Sequence, residues 1–166
     1  MRPSKDKYYL AIAQVIAERS TCFRRKIGAL IVKDDVIVAT GYVGAPRKTK
    51  DCLERGECLR EKLGIPHGER YELCRSVHAE MNAIINAARS GAQILGSDLF
   101  IWGSDRNGHP VNAFPCFLCK KMIINAGIKR VICSTQKNGL KVFKTGKWGR
   151  DWQVKDIIDD KERYGM

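Results

Sequence analysis

The sequence predicts a single α/β domain whose mixed sheet is covered by helices on both faces. Strand-like and helix-like segments alternate along the 166 residues, a length that suits one compact domain with a sizeable core. The first two strand-like runs are separated by only three residues, which predicts an antiparallel hairpin, whereas helices separate the later strands. A hairpin combined with helical crossovers makes the expected sheet mixed.

The opening elements are a helix and the hairpin. Apolar residues recur at helical spacing over 8–16, and either Ser4 or Asp6 is a suitable N-cap for that helix. The β-branched runs 27–32 and 36–40 flank a short charged turn and predict the two strands of the hairpin.

Two strong helices and two polar segments follow. The segment 41–75 is long, polar and rich in cysteine, so it predicts a functional loop that needs an internal cross-link to stabilise it. A strong helix is predicted over 77–89 and a second over 116–125, both ended by glycine-containing turns. Between them lie a short apolar strand, 99–102, and a polar loop, 103–114.

The C-terminal part is predicted to be simpler. A strand over 130–133 completes a domain core of about 5–135, followed by a basic extension over 136–166. Within it, basic residues and glycines alternate over 137–150, which favours a solvated loop, although this composition also suits contact with a phosphate backbone. A modest charged helix is predicted over 154–162.

Composition narrows the classes of partner. The formal net charge is +12, from 30 Lys and Arg against 18 Asp and Glu, which favours phosphate-bearing small molecules or nucleic acid. No apolar run approaches the roughly 20 residues of a membrane span, and no apolar secretory core follows the first charged residues. We therefore expect a cytoplasmic protein without a membrane segment. An odd number of cysteines, seven, argues against a disulfide framework and favours metal binding.

Two short motifs at predicted helix starts indicate a catalytic zinc site. Cys116 and Cys119 lie one helical turn apart, and Pro115 is predicted to be the first helical residue. The positive end of the helix dipole favours the thiolate form that metals need. His78, at the other helix start, supplies a third ligand and leaves the fourth tetrahedral position for water.

Glu80 is the predicted catalytic residue. It lies two positions after His78, where its carboxylate can move protons between water, a ring nitrogen and a leaving amine. The combination of His-x-Glu with Pro-Cys-x-x-Cys is the signature of zinc deaminases. Taken alone, Cys-x-x-Cys also suits a structural zinc knuckle or a redox pair, neither of which needs the glutamate.

The chain resembles the zinc-dependent cytidine and deoxycytidylate deaminase superfamily, most closely its dCMP deaminases. The matching stretches are HAEMNAI, PCFLCKKMIINAGIKRVI, STCFRRKIGALIV and GYVGAP. The resemblance implies a three-layer α/β/α domain with a five-stranded sheet and hydrolysis of dCMP to dUMP and ammonia. It also implies a homo-oligomer, usually a hexamer, and suggests allosteric control by dCTP or dTTP.

Three positions depart from that family pattern. Val43 stands where many members have an asparagine that meets the deoxyribose, and Gln136 and Lys137 stand near a common tyrosine. The loop 103–114 is longer than usual. Because all three departures lie in the region that would recognise the substrate, we expect this loop to take over part of substrate recognition. Its candidate polar contacts are Asp105, Arg106, Asn107 and His109.

The resemblance also implies a second, structural zinc, because some dCMP deaminases hold one with residues from these same regions. The candidate ligands here are Cys22, Cys52 and Cys74, with Cys58 or His67 as the fourth. A bound metal would stabilise the long loop, which has too little apolar content to be held by packing alone. The alternative is that these are separate thiols.

Candidate substrate contacts are fewer and less specific than the candidate metal ligands. Arg24, Arg25 and Lys26 precede the first strand and suit either a nucleotide phosphate or solvated surface charge. Val43 is predicted to lie beside the sugar, and Asn82 either orients active-site groups or caps a turn. Two other functions remain open: deamination of a base in nucleic acid, such as a tRNA adenosine, and a non-enzymatic, zinc-stabilised nucleic-acid-binding module.

Overall fold

One five-stranded mixed sheet organises the protein. The computed structural model describes residues 1–157. The strand order is β2-β1-β3-β4-β5, in which β3 and β4 are parallel and the other three pairs are antiparallel. The strands are β1 Arg25–Lys33, β2 Val36–Tyr42, β3 Asp98–Asp105, β4 Arg130–Ser134 and β5 Leu140–Lys144. The predicted mixed sheet is thereby confirmed.

Helices cover both faces of the sheet, as predicted. One face packs against α1, Lys5–Ala17, whose N-cap is Ser4, and the other packs against α4, Ala79–Ser90, and α5, Phe117–Asn125. The remaining helices are α2 Cys52–Arg55, α3 Leu59–Lys62 and α6 Thr145–Val154, with a 3₁₀ turn at Tyr71–Leu73. None of the described helices is both long and apolar enough to cross a membrane.

The hairpin between β1 and β2 is confirmed. Its turn residues Asp34 and Asp35 both have positive φ, 49° and 65°. Aspartate tolerates this left-handed region better than most residues, and two such residues in succession match the twist of a tight hairpin.

Gly41 allows α4 to lie very close to the sheet. A Cβ atom at this position of β2 would lie 2.3 Å from the Ala83 nitrogen and 2.4 Å from the Ala79 oxygen. Only glycine therefore permits this approach without a backbone shift. The close contact fixes the start of α4, where His78 and Glu80 lie.

Two predicted loops contain more regular structure than expected. The segment 41–75 includes α2, α3 and the 3₁₀ turn rather than being irregular throughout. In addition, β3 continues to Asp105, so the first three residues of the predicted loop 103–114 are strand. The reason is pairing with β1, in which Ile27 lies opposite Gly103 and Arg25 lies opposite Asp105.

The predicted solvated loop over 137–150 is wrong. Phe143 of β5 and Trp148 of α6 are buried and pack in the larger apolar cluster, which outweighs the poor helix propensity of the neighbouring glycines. The helix predicted over 154–162 also differs, because α6 ends at Val154 and residues 155 and 156 are not helical. Residues 158–162 of that prediction lie outside the described residues.

Candidate active site

The starts of α4 and α5 bring three metal-binding side chains together. His78 is the N-cap of α4 and Cys116 is the N-cap of α5. The Nδ1 atom of His78 lies 3.4 Å from the Sγ atoms of both Cys116 and Cys119. Within residues 1–157, this is the only group of three or more His, Cys, Asp or Glu side chains whose ligand atoms all lie within 4.8 Å of one another.

The local geometry at Pro115 differs from the prediction. Helix α5 begins at Phe117, with Cys116 as an extended N-cap at φ −70° and ψ 172°. Pro115 therefore precedes the cap instead of occupying the first helical position. It is fully buried, so it fixes the path of the chain into the cap.

The donor set fits zinc. One imidazole nitrogen and two thiol sulfurs match the preference of this borderline-soft ion. A hydrogen bond from the Cys119 side chain lowers the pKa of Cys116 to about 4, despite opposition from burial. The same hydrogen bond and burial raise the pKa of Cys119, which retains the proton of the pair. Metal binding by both sulfurs requires that this last proton leave.

Glu80 lies in the first turn of α4, beside the three ligands. Its side chain is buried, and burial raises the pKa of its carboxyl group, while the charge of His78 acts in the opposite direction. Glu80 lines the same cavity as His78 and Cys116. A carboxyl group with a raised pKa can both accept and deliver a proton near neutral pH.

The cavity above these residues is mostly apolar near the metal ligands. Val43, predicted as a substrate contact, is buried and lies in its wall. Lys26 and Asn82 do not line it. The Lys26 ammonium lies 2.7 Å from Glu18 at the surface, and the Asn82 amide donates to the Tyr42 carbonyl at 2.8 Å, which ties α4 to β2.

The part of the loop after β3 that lines the cavity is not the part predicted to do so. Asp105 accepts hydrogen bonds from the backbone N–H groups of Asn107 and His109, so these polar residues stabilise their own turn. Arg106 lies 3.7 Å from Glu61. The cavity is instead lined by the three residues before Pro115, namely Asn112, Ala113 and Phe114.

Sequence reasoning missed Tyr71 as part of the site. Its ring packs edge-on against the His78 imidazole, with 4.8 Å between ring centroids, and it lines the cavity. Tyr71 lies in a polar segment without periodicity, so no local pattern indicated that it would return to the metal ligands.

The far end of the same cavity holds the other candidate ligands. Its lining includes Cys22, Cys52, Cys58, Cys74 and His67, together with Arg24, Arg25 and Arg60. All seven cysteines of the chain are free thiols. The described ligand atoms at this end do not form a group as tight as the one at His78.

Comparison with known proteins places these observations in a family. Residues 3–135 match the model of the cytidine and deoxycytidylate deaminase zinc-binding region. The deoxycytidylate deaminase of Mycobacterium phage D29 is 36% identical over 136 residues, covering 79% of this chain and 94% of that protein. The deoxycytidylate deaminase of Schizosaccharomyces pombe is 33% identical, covering 82% of this chain but only 39% of that longer protein.

A solved structure agrees with the sequence matches. The dCMP deaminase from the cyanophage S-TIM5, in complex with dCMP and dUMP, superposes with a TM-score of 0.58 and 30% identity. The match covers 80% of this chain and 82% of that one. Because the zinc-binding region is matched over 133 residues that include the three candidate ligands and Glu80, the chain belongs to the cytidine and deoxycytidylate deaminase family.

Proposed function

We propose that this protein hydrolyses dCMP to dUMP and ammonia, with one zinc ion held by His78, Cys116 and Cys119. The observation that carries the proposal is the presence of a zinc-type ligand set and a buried glutamate in one cavity. The names of the phage D29 and S. pombe relatives and of the S-TIM5 structure support dCMP as the substrate.

The residues of this chain suggest a division of roles. When bound, zinc would supply activation of a water molecule for attack on the ring at neutral pH. Glu80 takes one proton from the attacking water and delivers it to the ring nitrogen. It then takes the second proton, from the hydroxyl group that the water has added to the ring carbon, and gives it to the amine, which leaves as ammonia. Tyr71 holds the His78 ring from one side, and the apolar wall that includes Val43 and Phe114 limits competing water.

A substrate panel tests the proposal. At equal concentrations, we expect dCMP to be deaminated faster than CMP, deoxycytidine and an RNA hairpin carrying an exposed adenosine. The physical reason is that a nucleotide monophosphate offers both the ring for the metal site and a charge for the basic end of the cavity. Ammonia release and a chromatographic assay of the product base measure each rate.

Two results would contradict this assignment. Deamination of the hairpin without turnover of dCMP would favour an enzyme acting on nucleic acid, for which the net charge of +12 is suitable. Tight RNA binding by the zinc-loaded protein without any deamination would favour the non-enzymatic module.

We further propose a structural zinc held by Cys22, Cys52, Cys58 and Cys74. The Cys22 sulfur accepts a hydrogen bond from the Arg24 backbone N–H at 3.4 Å, an arrangement that suits a thiolate ligand. Burial raises the pKa of Cys22, and the nearby thiols of Cys74 and Cys58 act in the same direction. Burial likewise raises the pKa of Cys52, and the nearby thiols of Cys22, Cys58 and Cys74 raise it further.

The surroundings of His67 favour Cys58 as the fourth ligand. Burial lowers the pKa of His67, and the charges of Arg25, Arg24 and Arg60 lower it further. A site surrounded by three guanidinium groups is unfavourable for another cation.

Metal analysis tests the second zinc. The wild type is expected to hold two zinc ions per chain, and Cys22→Ala one, because three remaining thiols bind more weakly. Cys58→Ala should lose an ion and His67→Ala should not. Limited proteolysis within 41–75 should accelerate in Cys22→Ala. Cys133→Ala, the same change at a buried strand position, is the control and should keep both ions. A wild type with one zinc would contradict the proposal.

Three further features are proposals of the same kind. The packing of Phe143 and Trp148 in the main core supports one domain over residues 1–166. Family membership supports a cytoplasmic homo-oligomer of hexameric form and allosteric control by dCTP or dTTP. Light scattering and activity measurements with these nucleotides would examine the last two features.

A further inference from the structure

Arg60 is a buried cation that forms no direct ion pair with the described residues. The residue is only 5% exposed, and within residues 1–157 no carboxylate lies within salt-bridge distance of its guanidinium, whose charge acts on Glu72 only at longer range. One terminal nitrogen, Nη2, donates to the Pro66 carbonyl at 2.8 Å, but Nε has no hydrogen-bond partner among the described residues. Burying a charge in this way is costly unless a ligand completes the pairing.

The position of Arg60 connects it to the reaction site. Its guanidinium carbon lies 4.9 Å from the centre of the Tyr71 ring, which itself lies 4.8 Å from the His78 ring. Arg60 also lines the cavity that contains Glu80 and Cys116. One aromatic ring therefore separates the unpaired cation from a metal ligand.

Other cations surround the same end of the cavity. The charges of Arg25, Arg24 and Arg60 all act on His67, so these four side chains lie close together. Arg24 is partly neutralised by Glu61 at 3.4 Å. Arg25, like Arg60, has no carboxylate partner in the described part of the chain. This end of the cavity thus has a surplus of positive charge.

We propose that Arg60, supported by Arg25, binds the 5′-phosphate of the nucleotide and makes the enzyme specific for monophosphates over nucleosides. This inference rests on the proposed function. The bond to Pro66 and the stacking on Tyr71 fix the plane of the guanidinium, while the buried Nε–H group has no hydrogen-bond partner among the described residues. A planar, fixed fork of N–H donors suits phosphate oxygens better than a flexible ammonium does.

A competing role for Arg60 is neutralisation of the thiolates of the proposed second zinc. The two roles differ in what they predict. A phosphate anchor acts only on ligands that carry a phosphate. A thiolate partner would affect zinc content and would weaken phosphorylated and unphosphorylated ligands alike.

The test compares Arg60→Gln with the wild type as zinc-loaded protein. Calorimetry should show that the variant binds dUMP about 10- to 100-fold more weakly, the usual range for a lost hydrogen bond to a charged group. Its affinity for deoxyuridine should stay within about twofold and its zinc content unchanged. The KM for dCMP should rise by the same factor as the Kd of dUMP. Arg55→Gln, an exposed site in the same segment, is the charge-matched control and should change neither affinity.

Two further variants complete the design. Arg60→Lys keeps the charge without the fork and should bind dUMP with intermediate affinity. Should Arg60→Gln fail to fold, Arg25→Gln at the half-buried neighbouring site should still weaken dUMP and not deoxyuridine.

The outcomes separate this inference from the proposed function. Unchanged dUMP affinity in the Arg60 and Arg25 variants, or an equal loss for dUMP and deoxyuridine together with loss of zinc, would overturn the phosphate assignment. A wild type that binds dUMP through Arg60 yet does not deaminate dCMP would support the anion site and contradict the proposed function alone.

Discussion

Cys119→Ala is expected to lose one zinc ion per chain and all measurable deaminase activity. The Cys119 side chain is fully buried and its sulfur lies 3.4 Å from the His78 Nδ1 atom, so water cannot easily replace it as a ligand. Two remaining protein ligands do not provide the three that catalytic zinc sites use. Metal analysis of the purified protein and ammonia release from dCMP measure the two losses.

Cys133→Ala provides the matched control, because Cys133 is equally buried but lies in β4 outside the ligand group. The control removes one sulfur from the core and should keep its zinc and most of its turnover. Circular dichroism should show that both variants retain the sheet. A Cys119→Ala protein that is free of zinc at the site and turns over dCMP normally would refute the metal centre.

The grouping of the three candidate ligands could be predicted from the sequence because they lie in short motifs at helix starts. His78 and Cys116 turned out to be the N-caps of α4 and α5, and both helices end at glycine-containing turns. The distance between the two helices is set by the sheet, yet the type of ligand already restricted which residues could meet. Glu80 followed from its spacing to His78.

The cavity wall could not be predicted in the same way. Tyr71 and Arg60 lie in the long polar segment, and they reach His78 only through its packing against the rest of the fold. Burial of an arginine has no sequence signal, since arginine is usually exposed. Asp105 and His109 were expected to contact substrate. Instead, the Asp105 carboxylate accepts backbone hydrogen bonds within the loop and stabilises its turn.

Residues 137–150 show how composition can mislead. Their charges and glycines indicated a solvated loop, but two aromatic residues, Phe143 and Trp148, bury enough apolar surface to form β5 and α6. The rings lie 5.6 Å apart by centroid and close one end of the core. A few large side chains therefore outweighed the local propensity of many small and charged ones.

Glu80→Gln is expected to keep zinc and fold while kcat falls by about 10² to 10⁴, the usual contribution of positioned proton transfer. Gln has the shape of Glu but cannot accept the proton of water, so the attack and the departure of ammonia both lose their proton carrier. Burial raises the pKa of Glu80 in the wild type, consistent with a group that exchanges protons during turnover. Steady-state kinetics with dCMP and metal analysis measure the effect.

Glu72→Gln is the control, because this carboxylate lies in the 3₁₀ turn beside the cavity but is exposed and pairs with Arg70. It should have normal kinetics. A Glu80→Gln protein within about tenfold of wild-type kcat would exclude Glu80 from the mechanism.

The comparison with Cys119→Ala then separates two roles. Loss of the metal removes zinc and rate together, whereas loss of the proton carrier removes rate alone. A protein that used zinc only for structure would tolerate Glu80→Gln, since exchange of a buried carboxyl for a neutral amide of the same shape removes no ligand.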